Sequence, residues 1–259
     1  RFPIPVNTID LNADLGESFG AWRMGDDAAV MPHVSSANIA CGFHAGDAAT
    51  MQRTVMLAIE HGVAIGAHPS LPDLQGFGRR EMHVTPDEVY ALTMYQIGAL
   101  QAFAQTAGAR LHHVKPHGAL YNMAARDRVV ADAIANAVRD FDTSLLLFGL
   151  AGSVLVDAGR EAGLAVASEA FCDRRYRAEG SLAPRSEAGA VIEDIDAAIE
   201  QALSIVAHGE VTATNRTRLH IEADTLCVHG DRVNAGAFAQ RLRAALKNAG
   251  LRIAAPEPR

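Results

Sequence analysis

Ionisable side chains recur in this sequence directly after short apolar runs. The clusters stand in the segments DLNADLGES, NIACGFHAGD, GAHPSLPDLQGFGRR, VKPHGALYN, SEAFCDRR and CVHGD. Neutral imidazole combined with carboxylate can bind a divalent metal or transfer protons, and a lysine can stabilise an oxyanion. The predicted catalytic residues are Asp14, Glu17, His44, His68, Lys115 and His117.

The other polar residues of these clusters are predicted to bind substrate. Arginine can clamp a carboxylate or a phosphate with two parallel hydrogen bonds, so a small anionic substrate is expected. The alternative is that the arginines pair with surface carboxylates and that Asp231 braces the turn into the last helix. The predicted substrate- and anion-binding residues are Asn12, Asn38, Arg79, Asn122, Glu169, Asp173, Arg174, Arg185, His229 and Asp231.

Sequence spacing defines neither a metal site nor a nucleotide site. Asp14, His44 and His68 would make a plausible facial set of ligands for a divalent metal, but no HxxxH or HExxH spacing supports them. The chain has no GxxxxGK[ST] motif, and no GxGxxG follows a predicted strand. Sequence motifs therefore identify neither a metal site nor a nucleotide site.

The apolar runs that precede the clusters predict β-strands separated by helices. Several runs are continuously apolar, which is typical of parallel strands covered on both faces. Thr85, Pro86 and Glu88 form a capping-box pattern that predicts a helix to about Thr106, and Glu210–Glu222 predicts a small hairpin. The predicted strands are Thr8–Leu11, Ser36–Ala40, Ala64–Ala67, His112–Val114, Ser144–Phe148, Ala165–Ser168 and Leu226–Val228. The other predicted helices are Ala48–His61, Arg128–Arg139, Ser153–Glu161, Glu193–Ala207 and Ala235–Asn248.

Alternating strands and helices with right-handed crossovers predict an α/β fold with a parallel sheet. Seven such units either close into a (β/α) barrel or form an open, doubly wound sheet. In both arrangements the carboxyl ends of the strands lie at one edge, where function concentrates in α/β proteins. Residues 1–259 fit one barrel domain, because α/β barrels reach this length.

Composition argues against several classes of protein. A net charge of −7 and the lack of any lysine or arginine run argue against a nucleic-acid partner. The three widely spaced cysteines predict reduced thiols rather than a disulfide framework. No apolar stretch approaches the roughly 20 residues that span a bilayer, and no secretory signal is evident. We therefore expect a cytoplasmic protein without a membrane partner.

Together the segments IDLNADLGESFG, NIACGFHAGD, GAHPSLPD with GFGRR, KPHGALYN, EAFCDRRY and CVHGD resemble the LamB/YcsF family, in order from about residue 9 to 248. The resemblance implies a seven-stranded, TIM-like (β/α) barrel of the glycoside hydrolase/deacetylase type, with the hairpin as an excursion before the last strand. It also implies ATP-dependent hydrolysis of 5-oxo-L-proline (pyroglutamate) to L-glutamate, with release of ADP and phosphate. The implied partners are two further 5-oxoprolinase subunits, B and C, and the implied cofactors are ATP and the Mg²⁺ that accompanies it.

The stability of a five-membered lactam gives a chemical reason for ATP, because phosphorylation of its oxygen creates a leaving group. On this hypothesis Lys115 and the arginines hold the carboxylate or the phosphorylated oxygen. A carboxylate or a histidine activates water or protonates the ring nitrogen. Two alternatives stay open: a metal-dependent amide or N-acetyl-sugar deacetylase on the same barrel, and a non-catalytic subunit that only binds ligand.

Overall fold

A closed barrel of seven parallel strands forms the centre of the molecule in a computed structural model, which describes residues 8–229 and 234–257. Pairing of the first barrel strand (Thr8–Leu15) with the last barrel strand (Thr225–His229) closes the barrel and rules out the open-sheet alternative. The strands are β1 (Thr8–Leu15), β2 (Ser36–Ala40), β3 (Ala64–His68), β4 (His113–Val114), β5 (Leu146–Leu150), β6 (Ala165–Phe171), β7 (Glu210–Thr212), β8 (Arg218–His220), β9 (Thr225–His229) and β10 (Arg252–Ile253). Strands β1 to β6 and β9 form the barrel, and β7 and β8 form the predicted hairpin. The short strand β10 pairs in parallel with the amino-terminal end of β1.

Helices cover the outside of the barrel, so β2, β5 and β9 are buried at every position. The helices are α1 (Asp27–Val30), α2 (Ala48–His61), α3 (Pro86–Thr106), α4 (Gly118–Ala124), α5 (Arg128–Phe141), α6 (Val154–Glu161), α7 (Ile195–His208) and α8 (Ala235–Asn248). The capping box at Thr85 is confirmed, and Asp47 caps α2 by accepting a hydrogen bond from the amide of Thr50. No helix in the described ranges is long and apolar enough to cross a bilayer.

Two strands run at least three residues further than the sequence predicts. Strand β1 continues past Leu11 to Leu15, and β6 continues past Ser168 to Phe171. The apolar runs end early because the inward-facing side chains of these strands are polar. Asn12 and Asp14 therefore lie on a strand inside the barrel rather than in the loop that follows it.

The interior of the barrel is correspondingly polar and hydrogen-bonded. Asp10, at the amino-terminal end, accepts hydrogen bonds from the hydroxyls of Ser36 and Thr225. Higher in the barrel, His113 fills the space beside Gly66, where a Cβ atom would overlap the His113 ring. Buried polar groups are stable only when they are paired, so this network aligns the strands from inside.

Candidate functional site

A buried ammonium group lies at the floor of the site. Lys115 Nζ lies 2.9 Å from Asp14 Oδ1 and 2.7 Å from Glu169 Oε1, and it also contacts Asn12 Oδ1 and Cys227 Sγ at 3.2 Å each. These four acceptors surround the three N–H bonds of one ammonium group. The lysine, which directly follows β4, therefore joins the carboxyl end of β4 to β1, β6 and β9 across the barrel.

Amide side chains complete this network below the cavity. Asn38 Nδ2 donates to Asn12 Oδ1 at 2.7 Å and to Asp14 Oδ1 at 2.9 Å. Asn12 Nδ2 in turn donates to Glu169 Oε1 at 2.9 Å, and the Tyr121 hydroxyl donates to Glu169 Oε2 at 2.7 Å. Asn12, Asn38 and Glu169 thus hold Lys115 and Asp14 in place from beneath.

The charges of the floor stabilise one another. Burial raises the pKa of Asp14, but its interactions with His68 and the charge of Lys115 outweigh burial and hold that pKa well below its ordinary value. Burial lowers the pKa of Lys115, but Asp14, Cys227 and Glu169 together raise it well above its ordinary value. At neutral pH the floor therefore holds an ionised Asp14 beside a protonated Lys115.

Two histidines present ring nitrogens to each other beside this floor. His68 Nε2 lies 3.0 Å from His117 Nδ1. The opposite nitrogen of each ring is 2.7 to 2.9 Å from a backbone carbonyl: His68 Nδ1 donates to Lys115 O, and His117 Nε2 donates to Phe77 O. When both rings are neutral, these bonds place each ring proton on the outer nitrogen and leave the facing nitrogens as acceptors. His68 Nε2 also lies 3.4 Å from Asp14 Oδ2.

Glu17 and His44 stand on the other side of this pair. Glu17 Oε1 lies 3.4 Å from His44 Nε2 and 3.8 Å from His117 Nδ1. The His44 ring stacks on the His117 ring with centroids 3.8 Å apart and an angle of 5° between the planes. Burial lowers the pKa values of His44 and His117 well below the ordinary value, which favours neutral imidazoles.

The loop after β3 locks the two stacked rings. Phe77 has a φ angle of 53°, a conformation that costs free energy for a residue with a side chain. The Phe77 ring packs edge-on against His44 and His117, with centroids 5.4 Å and 5.2 Å away. Gly78 follows with a φ angle of 63°, and a Cβ atom there would overlap the Ser70 hydroxyl. The strained turn brings the Phe77 carbonyl to His117 Nε2.

A carboxylate–histidine pair lies across the cavity. His229 Nδ1 is 2.8 Å and 3.0 Å from the two carboxylate oxygens of Asp173. Asp173 is buried and His229 lines the cavity. A carboxylate at Nδ1 keeps that nitrogen protonated and leaves Nε2 of a neutral ring as an acceptor.

Three arginines gather in the wall of the same cavity. Arg174 is buried, its Nη2 donates to the carbonyl of Ala183 at 2.5 Å, and its Nε has no hydrogen-bond partner within the described ranges. Burial and then repulsion from Arg185 lower the pKa of Arg174 to about 10, with a further contribution from Arg79. Guanidinium groups near enough to repel one another present hydrogen-bond donors and positive charge that an anion can neutralise.

These groups surround a cavity of about 1010 Å³ at the carboxyl end of the barrel. Asn12, Asn38, His44, Glu169 and Asp173 lie behind its wall or beneath its floor. Asp231 lies outside the described residues, so its role stays a prediction. The predicted site residues that line the cavity are Asp14, Glu17, His68, Arg79, Lys115, His117, Asn122, Arg174, Arg185 and His229.

Sequence reasoning missed several contributors to the site. Tyr121 and Cys227 contact Glu169 and Lys115, yet an aromatic residue in a helix and a cysteine in an apolar strand carry no sequence signal of function. The sequence directly after β5 contains no cluster of ionisable residues. Nevertheless Ser153, with a buried hydroxyl that has no partner in the described parts of the chain, lines the cavity.

Two groups of side chains are compact enough to hold a cation: Glu17, His44, His68 and His117 form one, and Asp14, Cys227 and His229 form the other. The second group already faces a positive charge, because Lys115 Nζ contacts both Asp14 and Cys227. The first group contains two histidines with facing acceptor nitrogens.

The fold and the site define a TIM-like barrel enzyme, with polar and ionisable groups gathered at the carboxyl ends of its strands. The chain belongs to the LamB/YcsF family, whose profile matches residues 9–258. It is 60% identical over 250 residues to a Methylococcus capsulatus protein named as the A subunit of 5-oxoprolinase, covering 96% of each chain. It is 58% identical to the Bordetella pertussis protein of the same name, over 95% of this chain and 98% of the relative.

A solved structure confirms the barrel. The lactam utilization protein of Thermus thermophilus superposes with a TM-score of 0.90 at 51% sequence identity. The match covers 96% of this chain and 100% of the other. The predicted seven-stranded barrel and the family resemblance are therefore both confirmed.

Proposed function

We propose that this chain is the A subunit of an ATP-dependent 5-oxoprolinase, which hydrolyses the lactam of 5-oxo-L-proline to L-glutamate while ATP becomes ADP and phosphate. The observation that carries the proposal is the 60% identity, across 96% of both chains, with a relative named as the A subunit of 5-oxoprolinase. The chemistry of the cavity agrees with it. An anionic amide needs a cationic pocket, a means of activating water and a proton for the departing nitrogen.

The arginine cluster is the proposed anion-binding part of the site. Arg174 and Arg185 line the cavity, and Arg185 makes no hydrogen bond or ion pair within the described ranges. Lys115, by contrast, already has an acceptor for each of its N–H bonds. We therefore assign the substrate carboxylate or phosphoryl group to the arginines. Lys115 keeps Asp14 ionised and correctly placed.

Proton transfer is assigned to the Asp173–His229 pair. Asp173 keeps the proton on His229 Nδ1, so the His229 Nε2 can accept a proton from water and later donate it to the ring nitrogen. Asp14 Oδ2 lies beside His68 at the floor of the same cavity and can orient the attacking water. In this mechanism water adds to the ring carbon of the O-phosphorylated lactam, the C–N bond breaks, and the nitrogen leaves as the amine of glutamate. A second water then hydrolyses the resulting acyl phosphate to the carboxylate and free phosphate.

We propose that ATP and its Mg²⁺ are used by a complex of this chain with the partner subunits B and C. A lactam is a weak electrophile, so transfer of a phosphoryl group to its oxygen makes the ring carbon reactive and provides a leaving group. The relatives are named as one lettered subunit of 5-oxoprolinase, which implies a multisubunit enzyme. We further propose that this complex works in the cytoplasm, where ATP is abundant.

The test is a reconstitution. Glutamate and phosphate release from 5-oxoproline are measured for this chain alone and with subunits B and C, with and without ATP and with and without chelator. We expect equal amounts of glutamate and phosphate, and only in the ATP-containing complex. Glutamate release by this chain without ATP would contradict the ATP requirement and favour a simple amidohydrolase. Full activity of His117→Ala or Lys115→Ala in the complex would contradict the placement of the site.

A further inference from the structure

We propose that Glu17, His68 and His117 form a binding site for one divalent transition-metal ion such as Zn²⁺, with an open position that faces the cavity. This goes beyond the proposed 5-oxoprolinase reaction, for which the only metal implied is the Mg²⁺ that accompanies ATP. The ligand set differs from the Asp14, His44 and His68 set that the sequence suggests. All three residues are buried and line the cavity.

The strongest observation is the orientation of the two imidazoles. The outer nitrogens of His68 and His117 are both committed to backbone carbonyls, of Lys115 and Phe77 respectively. When both rings are neutral, the inner nitrogens, His68 Nε2 and His117 Nδ1, therefore present lone pairs to each other across 3.0 Å. Two facing lone pairs repel unless a positively charged species lies between them or beside them. A backbone carbonyl at the outer nitrogen is also the usual way of orienting a metal-ligating histidine.

The distances suit an ion of the size of zinc. Two nitrogens 3.0 Å apart can both lie at the usual metal–nitrogen distance of about 2.0–2.1 Å with an N–metal–N angle of roughly 95°. The planes of the two rings meet at 84°, so one point can lie in both ring planes. Glu17 Oε1, 3.8 Å from His117 Nδ1, supplies a carboxylate ligand on the same side.

Ring geometry excludes His44 from this set. A histidine binds metal in the plane of its ring, along the nitrogen lone pair. The rings of His44 and His117 are parallel to within 5° and stacked 3.8 Å apart, so no single point lies in both planes. The role of His44 is to stack on the face of the His117 ring, while Phe77 contacts the edges of both rings.

The chemistry of the donors selects the kind of ion. Two imidazoles and one carboxylate suit zinc, iron, copper or nickel, whereas Mg²⁺ prefers oxygen ligands and keeps several waters. Three protein ligands with one position open to a cavity are typical of a catalytic rather than a structural zinc site. The Asp14, Cys227 and His229 group is not an equivalent site, because Lys115 already contacts Asp14 and Cys227 there.

The test measures metal binding directly, without an activity readout. The full chain is stripped with chelator and titrated with Zn²⁺ by calorimetry, and with Co²⁺ by visible absorption. We expect one ion per chain and a visible Co²⁺ spectrum with nitrogen and oxygen ligands. His68→Ala, His117→Ala and Glu17→Gln should each weaken binding by more than the roughly 10–100-fold that follows the loss of an outer-sphere partner.

His44→Phe is the matched control, because it keeps a stacked ring beside His117 and removes both nitrogens. It should bind one Zn²⁺ with nearly the affinity of the parent chain, and loss of binding in this variant would overturn the three-ligand assignment. Circular dichroism checks that each variant is folded. If the histidine variants do not fold, the parent chain still decides the question. No saturable uptake of Zn²⁺ or Co²⁺ by the parent would overturn the proposal and leave a shared proton between His68 and His117.

Discussion

Replacement of the buried lysine tests whether the ionic floor is as tightly coupled as its distances indicate. Lys115→Met keeps the length and apolar stem of the side chain but removes the charge 2.9 Å from Asp14 and 2.7 Å from Glu169. Loss of one partner from a buried ion pair typically costs about 3–5 kcal/mol, because the opposite charge stays buried without compensation. At roughly 2–4 °C per kcal/mol for a chain of this size, we expect a Tm about 6–20 °C lower.

The matched controls separate charge from packing. Arg128→Met removes an arginine that pairs with Glu161 and Asp132 at the surface, and its Tm should stay close to that of the parent. Glu169→Gln combined with Lys115→Met removes one of the stranded carboxylates, so the double variant should be more stable than the sum of the two single effects predicts. The reasoning is refuted if Lys115→Met melts within the range of Arg128→Met, or if the two floor substitutions are simply additive.

Three further predictions concern the barrel interior and the proposed dyad. Gly66→Ala places a Cβ atom against His113 and should lower the free energy of unfolding by about 1–3 kcal/mol in urea titrations; the loss should be smaller in a His113→Ala background. Burial raises the pKa of Asp10 to about 6 from 3.8, so the folded chain holds this proton more tightly than the unfolded chain. Its stability relative to Asp10→Asn should therefore fall by roughly 2 kcal/mol as pH rises from 4 to 7, and a flat difference would contradict this. Asp173→Asn should reduce glutamate release by the complex about 10³–10⁴-fold through loss of the His229 tautomer, and unaltered kcat would remove the pair from the mechanism.

Local sequence determined most of the secondary structure of this protein. The helix at Ala48–His61 has the predicted bounds because Asp47 caps its start and Gly62 adopts the left-handed conformation at its end. The capping box at Thr85 and the strand at Ser36–Ala40 depend equally on neighbouring residues. The polar clusters at the strand ends also mark the correct edge of the barrel, since parallel strands deliver their carboxyl ends to one face.

Only the tertiary structure decided how the members of those clusters pair. Asp173 and His229 are 56 residues apart in sequence, and Lys115 reaches Asp14 across 101 residues. Their contacts depend on the strand register and on closure of β1 against β9, which no local pattern encodes. Local sequence also does not explain the strained backbone of Phe77, which places the Phe77 carbonyl against His117 in the folded chain.

The length of β1 shows the physical reason most clearly. In sequence, Asn12 and Asp14 mark the end of an apolar strand, because a lone strand cannot bury an amide and a carboxylate. In the closed barrel Asn38 and Lys115 approach from other strands and satisfy those groups, so the strand continues to Leu15. Sequence thus determined which residues meet at the mouth of the barrel, while closure determined which of them are buried, which are charged and which nitrogen of each histidine faces the cavity.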